Sequence, residues 1–487
     1  MRSLLLSLVL SLLASAQTPQ AGVKTIPPPG IPVPAADRVE LQAALARLTQ
    51  TLEPLRANPL YPDAAIYAKA VRFAVEGNEF FKPAEIASAK DLLKQGQARA
   101  DALATGTAPW QSATGLLVRA YTSKIDGSLQ PYGLVIPTSF APDLPHKWRL
   151  DLWFHGRNET LSEINFIIDR QKNPGEFTPR DTIVLHLYGR YCNANKFAGE
   201  VDLFEALDDL KRHYNIDERR ISVRGFSMGG AAVWHIAAHH AGLWAAAAPG
   251  AGFAETREFV PAYHKQQITP SWYEEKLWHW TDATDYALNF AQLPVVAYNG
   301  EIDPQKQAAD IMARYLAREG MTLTRIVGPN TAHKYHPAAK VEINRLIDPI
   351  VERGNEPTPK KIHFTTWTLA YNQMKWITVD GLEKHWERAR IDAEITSDHA
   401  VQAQTGNISS LTLRFGPGGA PFDPTKMITV TLDGQPVQVP GPDTARTLNA
   451  SFHKQSGKWV AGEDTAFRKR HNLQGPIDDA FLSASSW

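Results

Sequence analysis

The chain has 487 residues, which is too long for one ordinary hydrophobic core, and the usual size of a domain predicts about three domains. Its 43% hydrophobic and 21% charged residues are typical of a soluble globular protein. Basic and acidic residues both number 51, so the zero net charge gives no general electrostatic reason to bind nucleic acid or an anionic membrane.

The N-terminus has the pattern of a secretory signal peptide. Arg2 precedes an apolar run over residues 4–13, and residues 14–16 read Ala-Ser-Ala, a small-residue cleavage site. A membrane anchor needs about 20 apolar residues, and this run is shorter. We therefore expect residues 1–16 to be removed after Ala16, leaving a secreted or periplasmic protein without membrane contact.

The next two segments lead into the main body of the chain. Residues 17–36 are rich in proline and predict an extended linker. Residues 37–110 place apolar side chains three and four positions apart, with prolines between the runs, which predicts a small helical segment. This segment carries no cluster of catalytic residue types, so we interpret it as scaffolding.

Residues 111–355 change to strands alternating with helices. Two strands flank the turn Asp126-Gly127 and predict an opening hairpin, and the later strands are apolar nearly throughout. This pattern predicts an α/β domain, a mostly parallel sheet with helices on both faces. The predicted strands are 116–121, 132–137, 149–154, 181–188, 221–224, 243–248, 294–298 and 322–327, and the helices 199–214, 231–238, 305–319 and 337–353.

The C-terminal part has a different character. Residues 360–462 contain short strands of alternating apolar and polar residues separated by tight turns such as Asp433-Gly434. This favours a β-sandwich-like domain. Residues 463–487 form a tail that closes no element.

Ser227 stands in a five-residue pattern between a predicted strand and a predicted helix. Residues 225–229 read Gly-Phe-Ser-Met-Gly, which fits G-x-S-x-G, the nucleophile elbow. The glycines leave room for a very tight turn, which would expose Ser227 at the carboxyl edge of the sheet. An opening hairpin followed by this alternation and an elbow is the order of an α/β-hydrolase.

A serine nucleophile needs a base and an orienting acid, which in this order follow it along the chain. Asp303, in the loop after strand 294–298, is the preferred acid, and Glu301 is its rival. His333, in the loop after the last strand, is the preferred base, and His336 is its rival. Asp303 could instead only cap the following helix.

Other residues near the predicted strand ends complete the candidate site. The oxyanion hole is predicted from the Met228 N–H and from the N–H of Gly156 or Arg157, in the loop that follows strand 149–154. Arg190 and Tyr191 follow strand 181–188, and could bind substrate or simply belong to a solvated loop. Cys192 is the only cysteine, so no intrachain disulfide is expected, and nothing near it in sequence supplies a base.

The elbow, Asp303 and His333 together resemble the prolyl oligopeptidase-like branch of the α/β-hydrolases. Residues 214–221, reading Tyr-Asn-Ile-Asp-Glu-Arg-Arg-Ile, resemble that branch's approach to the elbow, and the similarity covers residues 116–353. The resemblance implies Ser227, Asp303 and His333 as the catalytic triad. The chain differs from this family ahead of the catalytic domain, because prolyl oligopeptidases proper carry a large β-propeller where this chain has a short helical segment.

The sequence therefore predicts a secreted serine hydrolase that cleaves peptide or carboxyl-ester bonds through an acyl-enzyme. One alternative is a carboxylesterase acting on esters linked to plant or microbial polysaccharides. Another is a binding module that contacts glycan or protein through the C-terminal β domain, with secondary hydrolase activity. We expect no cofactor and no metal, since His239, His240 and the other histidines lack metal-site spacing.

Overall fold

The computed structural model describes residues 25–471. The predicted signal peptide, the start of the linker and residues 472–487 of the tail lie outside this range. The described part begins with three helices, α1 (Ala35–Leu52), α2 (Tyr61–Glu76) and α3 (Pro83–Ala104), as the spacing of apolar residues predicted. Within residues 25–471, none of the helices combines the length and apolar character needed to cross a bilayer.

An eight-stranded sheet forms the centre of the molecule. Its order is β1-β2-β4-β3-β5-β6-β7-β8, with β2 antiparallel to both of its neighbours and the other pairs parallel. The predicted α/β-hydrolase fold class is thereby confirmed. The strands are β1 (Gly115–Thr122), β2 (Leu129–Ile136), β3 (Trp148–Phe154), β4 (Thr182–Leu187), β5 (Ile216–Phe226), β6 (Ala246–Gly250), β7 (Val296–Gly300) and β8 (Thr324–Gly328).

Helices connect these strands and cover the sheet. The sequence did not predict α4, which begins where the Ser162 hydroxyl accepts a hydrogen bond from the Asn165 N–H. Every residue of α6 is buried, which fits a helix enclosed by other elements on all sides. The helices are α4 (Glu163–Arg170), α5 (Ala198–His213), α6 (Met228–His239), α7 (Trp272–Trp278), α8 (Gln307–Arg318) and α9 (Pro337–Arg353).

Two five-stranded sheets follow, as the alternating pattern predicted. One has the order β10-β11-β14-β17-β18 and the other β16-β15-β13-β12-β9. Neighbouring strands are antiparallel except β13 and β15, which run parallel. The strands are β9 (Lys361–Thr366), β10 (Gln373–Met374), β11 (Ile377–Leu382), β12 (Ala389–Ser397), β13 (Ala400–Gly406), β14 (Ile408–Phe415), β15 (Ile428–Leu432), β16 (Gln435–Val439), β17 (Leu448–Gln455) and β18 (Lys458–Ala461).

A buried carboxylate attaches the helical segment to the edge of the central sheet. Asp63 of α2 is 1% exposed and pairs with the Arg119 guanidinium of β1 at 2.7 Å. It also accepts hydrogen bonds from the Trp110 indole N–H at 2.9 Å and the Ala120 N–H at 3.1 Å. Removing either partner of such a pair leaves a buried charge, which costs about 3–5 kcal/mol.

A second, mostly buried carboxylate joins α5, α6 and the C-terminal region, with 13% of its side chain exposed. Glu200 lies 2.9 Å from His235 Nε2 and 2.6 Å from His240 Nε2, and it accepts a hydrogen bond from the Tyr371 hydroxyl at 2.9 Å. Burial acts to raise the pKa of Glu200, but the hydrogen bonds from the two histidines hold that pKa well below its usual value. The carboxylate therefore connects three parts of the chain.

An asparagine side chain extends this junction to β9. The Asn289 amide donates to the Ala238 carbonyl at 2.9 Å and to the Thr365 carbonyl at 3.1 Å, and it accepts from the Thr365 N–H at 2.8 Å. Asn289 is fully buried. Its amide thus satisfies the backbone of β9 and the end of the helix that follows Ser227.

Candidate active site

Ser227 occupies the turn between β5 and α6. Its backbone has φ 59° and ψ −121°, a combination that costs energy for a residue with a side chain. The Ser227 N–H donates to the Gly250 carbonyl at 2.8 Å, which fixes the turn against the end of β6. Although serine is a favoured helix cap, its side chain makes no capping hydrogen bond here. The hydroxyl therefore stays free of the helix.

The glycines of the elbow are required by close backbone contacts. A Cβ atom on Gly229 would lie 1.9 Å from the Phe154 carbonyl oxygen, and one on Gly225 would lie 2.4 Å from the Gly229 oxygen. Both distances are far below van der Waals contact. The end of β3 and the first turn of α6 can approach this closely only because neither glycine has a side chain.

Asp303 and His333 are brought together at the same edge of the sheet. Asp303 lies three residues after β7 and His333 five residues after β8, and the two strands are neighbours. His333 Nδ1 is 2.9 Å from Asp303 Oδ2. The Asp303 side chain is 0% exposed and that of His333 is 34% exposed, so the acid is shielded while the imidazole reaches the surface.

The His333 ring also lies against the elbow. Its centroid is 4.8 Å from that of Phe226, the residue directly before Ser227. Asp303 Oδ1 meanwhile accepts the Gln305 N–H at 2.8 Å, so one carboxylate both caps the short helix after β7 and contacts the imidazole. The two interpretations of Asp303 offered by the sequence are compatible in this geometry.

The two rival residues have other partners. Glu301 is exposed and accepts the Asn330 N–H at 2.8 Å, which ties together the loops that follow β7 and β8. His336 directly precedes α9, and its N–H donates to the Tyr298 hydroxyl at 2.8 Å. Neither has the Asp303–His333 contact, and the preference for Asp303 and His333 remains the stronger prediction.

The predicted oxyanion-hole residues lie on both sides of Ser227. Met228 is the first residue of α6, so its N–H belongs to the helical turn that has no intrahelical acceptor. On the other side, a Cβ atom on Gly156 would lie 3.6 Å from Ser227 Cβ. The loop of Gly156 and Arg157 therefore passes beside the serine, and either N–H remains a candidate donor.

The side chains of His155 and Cys192 form hydrogen bonds with this loop. The His155 ring nitrogens lie 2.9 Å from the Gly156 carbonyl oxygen and 3.0 Å from that of Tyr188, and burial lowers the pKa of the ring. Asn158 and Cys192 are hydrogen-bonded, and the Cys192 thiol donates to the Asn158 carbonyl at 3.2 Å. This contact could not be predicted from the sequence, because the two residues are 34 positions apart.

Arg190 and Tyr191, the predicted substrate-binding residues, make contacts within the protein. The Arg190 guanidinium pairs with Asp202 at 3.0 Å and with Asp126 at 2.7 Å. The Tyr191 hydroxyl donates to the Glu159 carbonyl. These contacts account for both side chains without a substrate, and a role in substrate binding stays a prediction.

The site contains no arrangement for a metal within the described range. Among residues 25–471, no group of three or more His, Cys, Asp or Glu side chains could hold a metal ion.

A sheet of this order with a nucleophile elbow at its centre defines the class of the domain, an α/β-hydrolase fold with a candidate serine nucleophile. Residues 193–347 match the family model of the prolyl oligopeptidase family, which confirms the resemblance recognised in the sequence. The matched segment includes Ser227, Asp303 and His333. No curated protein matches the chain by sequence.

Similar solved structures include peptidases and esterases. A puromycin-hydrolyzing peptidase of Mycobacterium tuberculosis has a TM-score of 0.37 and 16% identity, over 49% of this chain and 40% of that one. A ferulic acid esterase has a TM-score of 0.37 and 15% identity, over 50% of this chain and 99% of that one. The fluorophosphonate-binding serine hydrolase F of Staphylococcus aureus has a TM-score of 0.36 and 17% identity, over 49% of this chain and 99% of that one. The chain thus spans less than half of the peptidase's length.

Proposed function

We propose that this protein is a secreted serine hydrolase that cleaves peptide or carboxyl-ester bonds through an acyl-enzyme formed on Ser227. His333 is the general base and Asp303 its orienting acid. The observation that carries this proposal is the 2.9 Å contact between His333 Nδ1 and the fully shielded Asp303 carboxylate, next to the strained turn of Ser227. Secretion is supported by the signal-peptide pattern of residues 1–16.

In the first half of the reaction, the acyl group moves from its leaving group to the serine. Asp303 accepts the hydrogen bond from His333 Nδ1–H, which leaves Nε2 unprotonated and able to take the Ser227 hydroxyl proton. The serine oxygen adds to the carbonyl carbon, and the carbonyl oxygen becomes an anion. The Met228 N–H and the N–H of Gly156 or Arg157 stabilise this anion, and each such donor contributes about 10²-fold in rate.

In the second half, the acyl group moves to water. The leaving group has by then departed, because His333 Nε2 gives its proton to the alcohol or amine at the end of the first half, and only the ester bond to Ser227 remains. A water molecule then loses a proton to the same nitrogen and adds to the acyl carbon. The serine oxygen leaves with that proton, and the enzyme returns to its starting state with the carboxylic acid released.

A carboxylesterase specificity is the second candidate, favoured by the architecture ahead of the sheet. Within residues 25–114, the elements preceding β1 are helices, and they pack against β1, β2 and α4. A propeller that would restrict access to short peptides does not occur in that range. Acyl esters of graded chain length, assayed beside short peptide anilides, distinguish the two bond types.

The nucleophile itself is tested by covalent labelling. A fluorophosphonate probe should label the wild type, and Ser227→Ala should abolish labelling and lower the hydrolysis rate by about 10⁶-fold. Ser139→Ala is the matched control because Ser139 hydrogen-bonds Asp181, away from the elbow, and should label as the wild type does. Equal labelling of wild type and Ser227→Ala would refute the assignment.

A further inference from the structure

Lys196 is a cationic side chain near the elbow. It lies in the loop between β4 and α5, and its ammonium stands 5.5 Å from the ring centroid of Phe253. Within residues 25–471, no carboxylate comes within 4.0 Å of this ammonium. Burial lowers the pKa of Lys196, which is the response of a cation that lacks compensating charge.

The aromatic ring beneath Lys196 belongs to the surroundings of the nucleophile. Phe253 packs against Ala194, Met228 and Ala231, and Met228 is the residue directly after Ser227. A Cβ atom on Gly252 would lie 2.2 Å from the Gly230 carbonyl carbon, so the loop carrying Phe253 lies directly on the first turn of α6. Phe253 and Lys196 therefore border the same side of the elbow.

The acid whose charge acts on the pKa of Lys196 is Asp282, and its oxygens have other partners. Asp282 accepts the Thr256 hydroxyl at 2.8 Å on one oxygen and the Thr256 N–H at 3.1 Å on the other. Burial raises the pKa of Asp282 to about 7, although the Lys196 charge opposes this change. The oxygens of Asp282 are thus occupied by Thr256, and within residues 25–471 the Lys196 ammonium has no carboxylate as a direct partner.

We propose that Lys196 is a specificity residue that binds a carboxylate of the substrate, in a subsite walled by Phe253. This inference rests on the proposed hydrolase function and adds the substrate class. A single ammonium in a partly desolvated position balances one negative charge, which fits a carboxylate better than a dianionic phosphate. The Phe253 ring offers an apolar surface to the carbon chain that carries the carboxylate.

The experiment compares matched substrate pairs in two arms. In the acyl arm, p-nitrophenyl butyrate is neutral and the p-nitrophenyl monoester of succinic acid carries a carboxylate. In the leaving-group arm, para-acetoxybenzamide is neutral and para-acetoxybenzoate carries the charge. The full chain is assayed as wild type, Lys196→Met, Lys196→Gln and Lys196→Glu. Lys94→Met is the control, because Lys94 is 79% exposed and pairs with Asp91 on a helix of the N-terminal segment.

We expect the wild type to favour the carboxylate substrate in one of the two arms, which identifies the group that Lys196 contacts. In that arm, Lys196→Met and Lys196→Gln should lower the ratio of kcat/KM for charged over neutral substrate by about tenfold or more, mainly through KM. Lys196→Glu should lower the ratio further by repulsion, and Lys94→Met should keep it.

The inference would be overturned if Lys196→Met and Lys196→Gln still label with fluorophosphonate and keep the wild-type ratio of kcat/KM for charged over neutral substrate in both arms. That result would leave the proposed function intact. A wild type without preference for the charged substrate in either arm would also overturn the inference. A wild type that neither labels nor hydrolyses any of the four esters would refute the proposed function, and this inference with it.

Discussion

Asp303→Asn is the substitution that most directly tests the proposed acid. The Gln305 N–H donates to Asp303 Oδ1 at 2.8 Å, so the amide that replaces the carboxylate must keep its carbonyl oxygen at that position. Its NH₂ group then faces His333 Nδ1, 2.9 Å away in the wild type. A donor there favours the imidazole tautomer with its proton on Nε2, which cannot accept a proton from Ser227.

The expected loss follows from the wrong tautomer. A carboxylate-to-amide change at the orienting acid of such a site costs about 10⁴-fold in kcat, or about 5 kcal/mol in the activation barrier. Folding should change little, because the amide retains the hydrogen bond to Gln305 and nearly the same volume. The assay is kcat on an activated ester, with the denaturation midpoint measured on the same preparation. Glu301→Gln is the matched control and should stay within a fewfold of the wild type.

Two outcomes would refute this reasoning. One is an Asp303→Asn variant with kcat within tenfold of the wild type and an unchanged midpoint. The other is a Glu301→Gln variant that loses as much activity as Asp303→Asn, which would make Glu301 the acid.

Two further predictions concern stability. Gly229→Ala places a methyl group 1.9 Å from the Phe154 oxygen and should lower the free energy of unfolding, measured in urea, by about 3 kcal/mol. Gly406→Ala is the control, because open space surrounds Gly406 and the free energy of unfolding should change little. Equal denaturation midpoints for the two variants would contradict the elbow packing. Burial lowers the pKa of both His235 and His239, so the unfolded chain binds more protons below about pH 6.5 and stability from these groups falls on acidification. His239→Phe should therefore lose less stability than the wild type between pH 7.5 and pH 5.5, and parallel losses would contradict this.

The central sheet and the positions of Asp303 and His333 could be predicted because they depend on local patterns. Apolar runs mark the buried strands, and polar residues just after parallel strands must meet at one edge of the sheet. The turn at Ser227 could be predicted because its glycines stand at fixed offsets. These signals need no knowledge of distant contacts.

The remaining features depend on contacts between residues that are far apart in the sequence. Residues 163–170 have apolar side chains at 164, 166, 167 and 168, which fit a helical period (164, 167, 168) and a strand period (164, 166, 168) equally, so α4 could not be predicted. Arg190 meets Asp126 and Asp202 only after the sheet has formed. Lys196 and Phe253 are 57 residues apart by number and become neighbours beside the first turn of α6. No local pattern distinguishes such a lysine from one on an exposed loop.

The junction at Glu200 bears on how this protein can be divided. Cutting the chain ahead of β9 would remove the Tyr371 hydroxyl from Glu200 and the Thr365 backbone from Asn289, and would uncover the side of α6 they protect. A shortened catalytic fragment would then expose apolar surface together with polar groups that have lost their partners, and we expect it to aggregate on expression. By the same logic, a protease acting in the stretch between α9 and β9 would release no independent enzyme, because its two products would stay associated.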